Sequence, residues 1–306
     1  MSAGRQVKKV LGAGAAMVAA TVTVGLASGL VTAAHATTVP PVASTALVGT
    51  WVNTNPATNS VRQIDITALR GGNIGVDAFG ACHPSLCEWG RVPGIVYGPN
   101  ASATTGTSFQ TNQRFLSGGT EWSRTALQGP VLRTRSGPRL QVRELTVFED
   151  GSSRKNDTKV ETFKLGQGQR PRRLGHPVST YPLGNRPLLV AGAFGTWKNL
   201  TPAGGLVELK IGGSQASPTI EAFGQCSPTP CDWGAVRSVT YGSAISAPVG
   251  SVALAAYSFG FKHAQVVVRY GLNAAGDERL TVKVYNEFTD GSGRSNYVLS
   301  ETFVRA

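Results

Sequence analysis

The sequence predicts an all-β protein built from two tandem antiparallel up-and-down β-barrel-like domains, each carrying one local disulfide; paired β-sandwiches are the alternative architecture. Three observations carry this. The run Ala78-Phe79-Gly80-Ala81-Cys82-His83-Pro84-Ser85-Leu86-Cys87-Glu88-Trp89-Gly90 returns as Ala222-Phe223-Gly224-Gln225-Cys226-Ser227-Pro228-Thr229-Pro230-Cys231-Asp232-Trp233-Gly234. Short alternating apolar and polar runs, broken by turn residues, recur on both sides of it. No long stretch after the N-terminal segment shows the 3.6-residue period of an amphipathic helix.

Taken in order, the chain opens with Arg5, Lys8 and Lys9, an apolar run to Ala34, and the small-x-small site Ala34-His35-Ala36. Residues 1–36 read as a secretory signal peptide; an uncleaved membrane anchor is the competing reading of so long an apolar run. Residues 37–48 read as a tether. The first repeat covers residues 49–165 and begins with Gly49-Thr50-Trp51; the second covers residues 187–306, with Gly195-Thr196-Trp197 near its start. Each continues with an alternating strand, Val61–Ile66 or Leu206–Ile211, and then the cysteine motif. Each ends in a hairpin, with Asp150-Gly151 or Asp290-Gly291 between alternating runs, a strong turn signal. Between the repeats, residues 166–186 form a linker rich in Pro, Gly and Arg.

Gly-x-Trp on a first strand, followed by a meander of strands, resembles the calycin group of lipocalins, fatty-acid-binding proteins and avidins. The resemblance rests on Gly49-Thr50-Trp51, Gly195-Thr196-Trp197 and the strand rhythm. It implies that Trp51 and Trp197 plug the barrel floors and meet a cation from each last strand, with Lys164 and Arg305 as the candidates. It implies no biotin set, because only Asn53 and Asn199 could be matched to one.

All 4 cysteines lie in the two motif copies. In an exported chain this spacing reads as the disulfides Cys82–Cys87 and Cys226–Cys231. Such short loops contribute only about 2 kcal/mol each in the chain-entropy model. A metal site lacks ligands, because Ser227 stands where His83 does. The net charge is +12. Arg170, Arg172 and Arg173 make the linker its most basic spot, suited to a cell-surface glycan or other polyanion, or simply to solvent. Nothing resembles a zinc finger or an aromatic, basic nucleic-acid platform.

Catalytic machinery is thin. His83, His176 and His263 do not recur between copies, and no Gly-x-Ser-x-Gly elbow exists. Asp150 with Arg154, and Asp290 with Arg294, read as pairs across turns. Glu161 and Glu301 read as partners of Arg139 and Arg279. Glu144 falls on the inward face of its strand, where a carboxylate is costly unless paired; an inward arginine, a wet interior or a bulge could each accommodate it. Trp89, Tyr97, Trp233 and Tyr241 flank the disulfide loops, either as stacking surfaces at a barrel mouth or as core caps.

The expectation is an exported, non-enzymatic binding protein without cofactor or metal. It is secreted, free or at the cell wall, with no membrane span after signal cleavage and no specific nucleic-acid partner. Its ligand is a small apolar or amphipathic molecule or a surface glycan, held by Trp89, Tyr97, Glu144, Trp233, Tyr241 and Asn286. The alternatives are an interaction or inhibitor protein that presents the disulfide loops, and a barrel hydrolase or isomerase using Glu144.

Overall fold

The computed structural model describes residues 43–83, 85–117, 119–168, 186–202 and 205–306. The signal segment, the start of the tether, Pro84, and the linker with Arg170, Arg172, Arg173 and His176 lie outside the described residues.

Eight strands of the first half close into an antiparallel barrel. They are β1 (Gly49–Asn53), β2 (Val61–Ala68), β3 (Ile74–Gly80), β4 (Cys87–Tyr97), β5 (Ser108–Ser117), β6 (Thr120–Thr134), β7 (Gly137–Phe148) and β8 (Asp157–Leu165). Each pairs with the next, and β8 returns to β1 with Trp51 opposite Leu165. Closure removes the free edges that an open sandwich would leave. Inward side chains alternate along each strand, and Trp51, Ile64, Phe109, Leu140 and Phe163 form the core.

After a short strand, β9 (Leu188–Leu189), come β10 (Gly195–Asn199), β11 (Leu206–Ser214), β12 (Ser217–Gly224), β13 (Cys231–Arg237), β14 (Val239–Gly242), β15 (Val249–Ser258), β16 (Lys262–Leu272), β17 (Glu278–Phe288) and β18 (Tyr297–Arg305). Where two closed barrels were expected, β10–β18 instead form an outer sheet beside the one closed barrel: they pair antiparallel with one another in the same order, with no ladder between β13 and β14, and β18 pairs with β10 through Trp197 opposite Arg305. Only Ser238 separates β13 from β14. Trp197, Leu209, Ile220, Val266, Leu280 and Phe303 belong to a second apolar cluster.

A third cluster joins the halves: Tyr97 and Leu145 pack with Tyr241, Val252, Val267 and Tyr285. Backbone bonds reinforce it symmetrically. The Gly98 amide donates to the Asn296 carbonyl at 2.8 Å, and the Gly242 amide donates to the Asn156 carbonyl at 2.9 Å. The described residues therefore fall in one compact unit.

Three further expectations change. Part of the anticipated tether is barrel floor: Leu47 is fully buried, and its carbonyl accepts the Trp51 indole N–H at 2.7 Å. Trp197 makes the matching bond to Ala193 at 2.9 Å, and the Arg305 guanidinium lies 4.4 Å from the Trp197 ring centroid. Lys164 is not its counterpart, because Lys164 stands opposite Val52 and the apolar Leu165 stands opposite Trp51. Finally, Glu161 and Glu301 do not pair with Arg139 and Arg279. Glu161 accepts hydrogen bonds from Thr58 at 2.7 Å and Asn53 at 3.1 Å, and Glu301 accepts from Asn199 at 3.1 Å. Glu161 stands opposite Val142 and Glu301 opposite Val282, three positions along their strands from Arg139 and Arg279, an odd offset that puts the arginines on the other face. The turn pairs Asp150–Arg154 and Asp290–Arg294 are present.

Candidate ligand-binding site

The repeated motif folds each time into the corner between two strands. The disulfides Cys82–Cys87 and Cys226–Cys231 close these corners. The glycine of Phe-Gly is required by the tryptophan that follows. A Cβ at Gly80 would lie 2.7 Å from Trp89 Nε1, and one at Gly224 would lie 2.8 Å from Trp233 Nε1. Each indole thus packs, through Nε1 and the adjoining ring atoms, against a strand position that lacks a side chain.

In the second half this corner borders a cavity of about 340 Å³. Trp233 forms one wall, half-buried. Phe259 meets it edge to face, with centroids 5.3 Å apart, and Phe261 stacks on Phe259 at 6.0 Å. Val284, Tyr297 and Leu299 contribute further lining from β17 and β18. Lys262, the first residue of β16, reaches in with its ammonium 4.4 Å from the Trp233 centroid. It donates to Asn286 Oδ1 at 2.9 Å, and Asn286 is only 1% exposed. Burial first, then the nearby Arg294 charge, lowers the Lys262 pKa from its ordinary value to about 8. The site combines flat apolar walls, a partly desolvated cation and a fixed amide.

The matching mouth of the first half has a different chemistry. Trp89 meets Phe115 edge to face at 5.1 Å, and Arg154 lies 4.2 Å from the Phe148 centroid. Ser123 pairs with Phe148 as Lys262 pairs with Phe288, so a hydroxyl replaces the cation. Glu144, 4% exposed, accepts a hydrogen bond from the Ser60 hydroxyl. Its Oε1, both polar side-chain atoms of Gln113 and the Trp122 indole N–H are buried without a hydrogen-bond partner among the described residues. Burial is the main force pushing the Glu144 carboxyl up to about 7. The register of β7 is continuous here, so no bulge turns Glu144 outward, and its partner is a serine rather than an arginine.

Of the residues singled out from the sequence, Trp233 and Asn286 line the cavity together, while Trp89 and Glu144 belong to the other mouth. Tyr97 and Tyr241 are at neither. They are 2% and 4% exposed in the cluster between the halves, because their side chains point outward from the strand into the other half. Lys262, Phe259 and Phe261 escaped notice; the sequence signal was Phe259-Gly260-Phe261-Lys262, an aromatic turn ending in a cation. The disulfide-loop tips differ as well, with Leu86 buried but Thr229 and Pro230 exposed. Among the described residues, no group of three or more His, Cys, Asp or Glu converges as metal ligands would. No protein-family model matches the chain, and no similar curated protein is found.

Proposed function

We propose that the protein binds a small amphipathic molecule, with a flat or chain-like apolar body and an acidic or hydrogen-bond-accepting head, in the second-half cavity. The observation that carries this is Lys262 held half-buried among Trp233, Phe259 and Phe261 beside a cavity of about 340 Å³. That volume is at the small end for ligand sites, which run from roughly 300 to 1,000 Å³. The head would meet Lys262 and Asn286, and the body would lie on the rings. Two features support a wider reading of the chain as two copies of one calycin-like barrel. The motif recurs, and the pairing order of β1–β8 recurs in β10–β18 with β13 and β14 taken as one strand. The polar first mouth then holds something different from the second. Two disulfides and the charged-then-apolar N-terminus support export into an oxidising compartment.

Native mass spectrometry of the exported protein tests the binding reading. The expected result is a small-molecule adduct, or one acquired on incubation with a medium-chain fatty or aromatic carboxylate, that Trp233→Ala and Lys262→Met each remove. Adduct formation unaffected by both substitutions would overturn it.

A further inference from the structure

A second cavity, of about 750 Å³, lies where the halves meet. It is lined by the outward rows of β7 and β17, continuing from the shared apolar cluster. Arg143 of β7 and Lys283 of β17 occupy the same place in their respective hairpins, so the meeting of the halves brings them into one groove. Arg269 of β16, in register with Thr281, adds a third cation. No Asp or Glu lines the groove, and among the described residues none of the three cations has an ion-pair partner. Asp157 and Lys159 alternate with Thr158 along β8 and face away from it.

We infer that this groove binds a segment of an acidic glycan, with Arg143, Arg269 and Lys283 contacting its sulfate or carboxylate groups. The reading is independent of the aromatic cavity, which shares no residue with the groove.

Three like charges gathered without a counter-charge destabilise a folded protein, and an anion reverses that effect. The tension is visible in the direction of the shifts. Arg143 is lowered by burial and then by Arg269, and Lys283 is lowered by burial and then by Arg143. Hydroxyls surround the cations. Thr158 accepts from Arg143 at 3.5 Å, Thr281 and Ser300 are exposed along the groove, and the buried Ser108 hydroxyl has no hydrogen-bond partner. Such a lining suits a ligand that carries many hydroxyls besides its charges. The groove contains no aromatic ring, so it offers no stacking platform for unpaired bases. An acidic sugar chain therefore fits it better than a single-stranded nucleic acid.

The test is calorimetric titration of the full-length exported protein with a heparin-derived hexasaccharide and with oligogalacturonate, at low salt. Binding of at least one is expected, and Arg143→Gln with Lys283→Gln should weaken it about tenfold or more. The charge-preserving exchange Arg143→Lys with Lys283→Arg should stay within about twofold, which separates lost charge from a damaged fold. Sulfated and uronic arms tell the two acid types apart. A neutral oligosaccharide binding as well as the acidic ones, single-stranded DNA of equal charge binding more tightly, or the double glutamine variant binding like the unaltered protein would each overturn the inference.

Discussion

Tyr97 lies edge to face against Tyr285, with ring centroids 5.2 Å apart, across the boundary between the halves. Both rings are nearly fully buried, and burial raises both phenol pKa values. Tyr285→Ala should therefore cost about 3 kcal/mol, as deletion of a buried aromatic ring does. Differential scanning calorimetry should show a lower Tm and a transition that splits as the halves uncouple. A Tm unchanged by the substitution would show that the shared cluster contributes nothing to stability.

Glu144 makes the first half acid-favouring. Its folded pKa of about 7 lies above the ordinary 4.5, so the neutral acid is the form that the fold prefers. The stability it contributes is fully present below pH 4.5 and is lost as pH rises through about 7. The whole effect is on the order of 3 kcal/mol. Urea unfolding across that window should show stability falling, and Glu144→Gln should flatten the slope and leave the protein more stable at alkaline pH.

Ligand capture at Lys262 should also fall as pH rises, but with a midpoint about one unit higher. The ammonium carries its charge below about pH 8 and loses it above. Affinity for a carboxylate amphiphile should fall as pH rises through that value, and Trp233 fluorescence reports the binding. Lys262→Met should weaken binding and remove the dependence; a profile that stays flat in the unaltered protein would exclude Lys262 as the anion contact.

Gly224→Ala would place a Cβ 2.8 Å from the Trp233 indole nitrogen. The ring must move, at a cost of about 1–3 kcal/mol. A shifted tryptophan emission spectrum and a lower Tm are expected, with reduced ligand capture following from the displaced wall. Gly80→Ala should disturb Trp89 similarly while leaving the second cavity occupied.

Much of this fold was legible because its signals are local. Asp150-Gly151 and Asp290-Gly291 mark their turns unaided, and the paired cysteines are separated by only 5 positions. One-residue register was not legible. Lys164 and Leu165 are neighbours in sequence, yet only Leu165 stands opposite Trp51, and alternation sends adjacent side chains to opposite faces. Whether Tyr97 and Tyr241 stack at a mouth or are buried is left open by the sequence for a related reason. Alternation says that a side chain points outward, but not that another half of the chain covers it. The aromatic cavity and the basic groove depend on strands far apart in sequence. Arg143 and Lys283 meet only because the halves dock.

The paired exchange of backbone bonds, Gly98 to Asn296 and Gly242 to Asn156, joins matching places of the two halves in both directions. A contact of this kind is self-complementary, like the isologous interface of a two-fold dimer. Joining two such copies in one chain turns an association governed by protein concentration into one that dilution cannot reverse. The two mouths within that one body carry different chemistry, a buried carboxylate at one and a lysine among rings at the other.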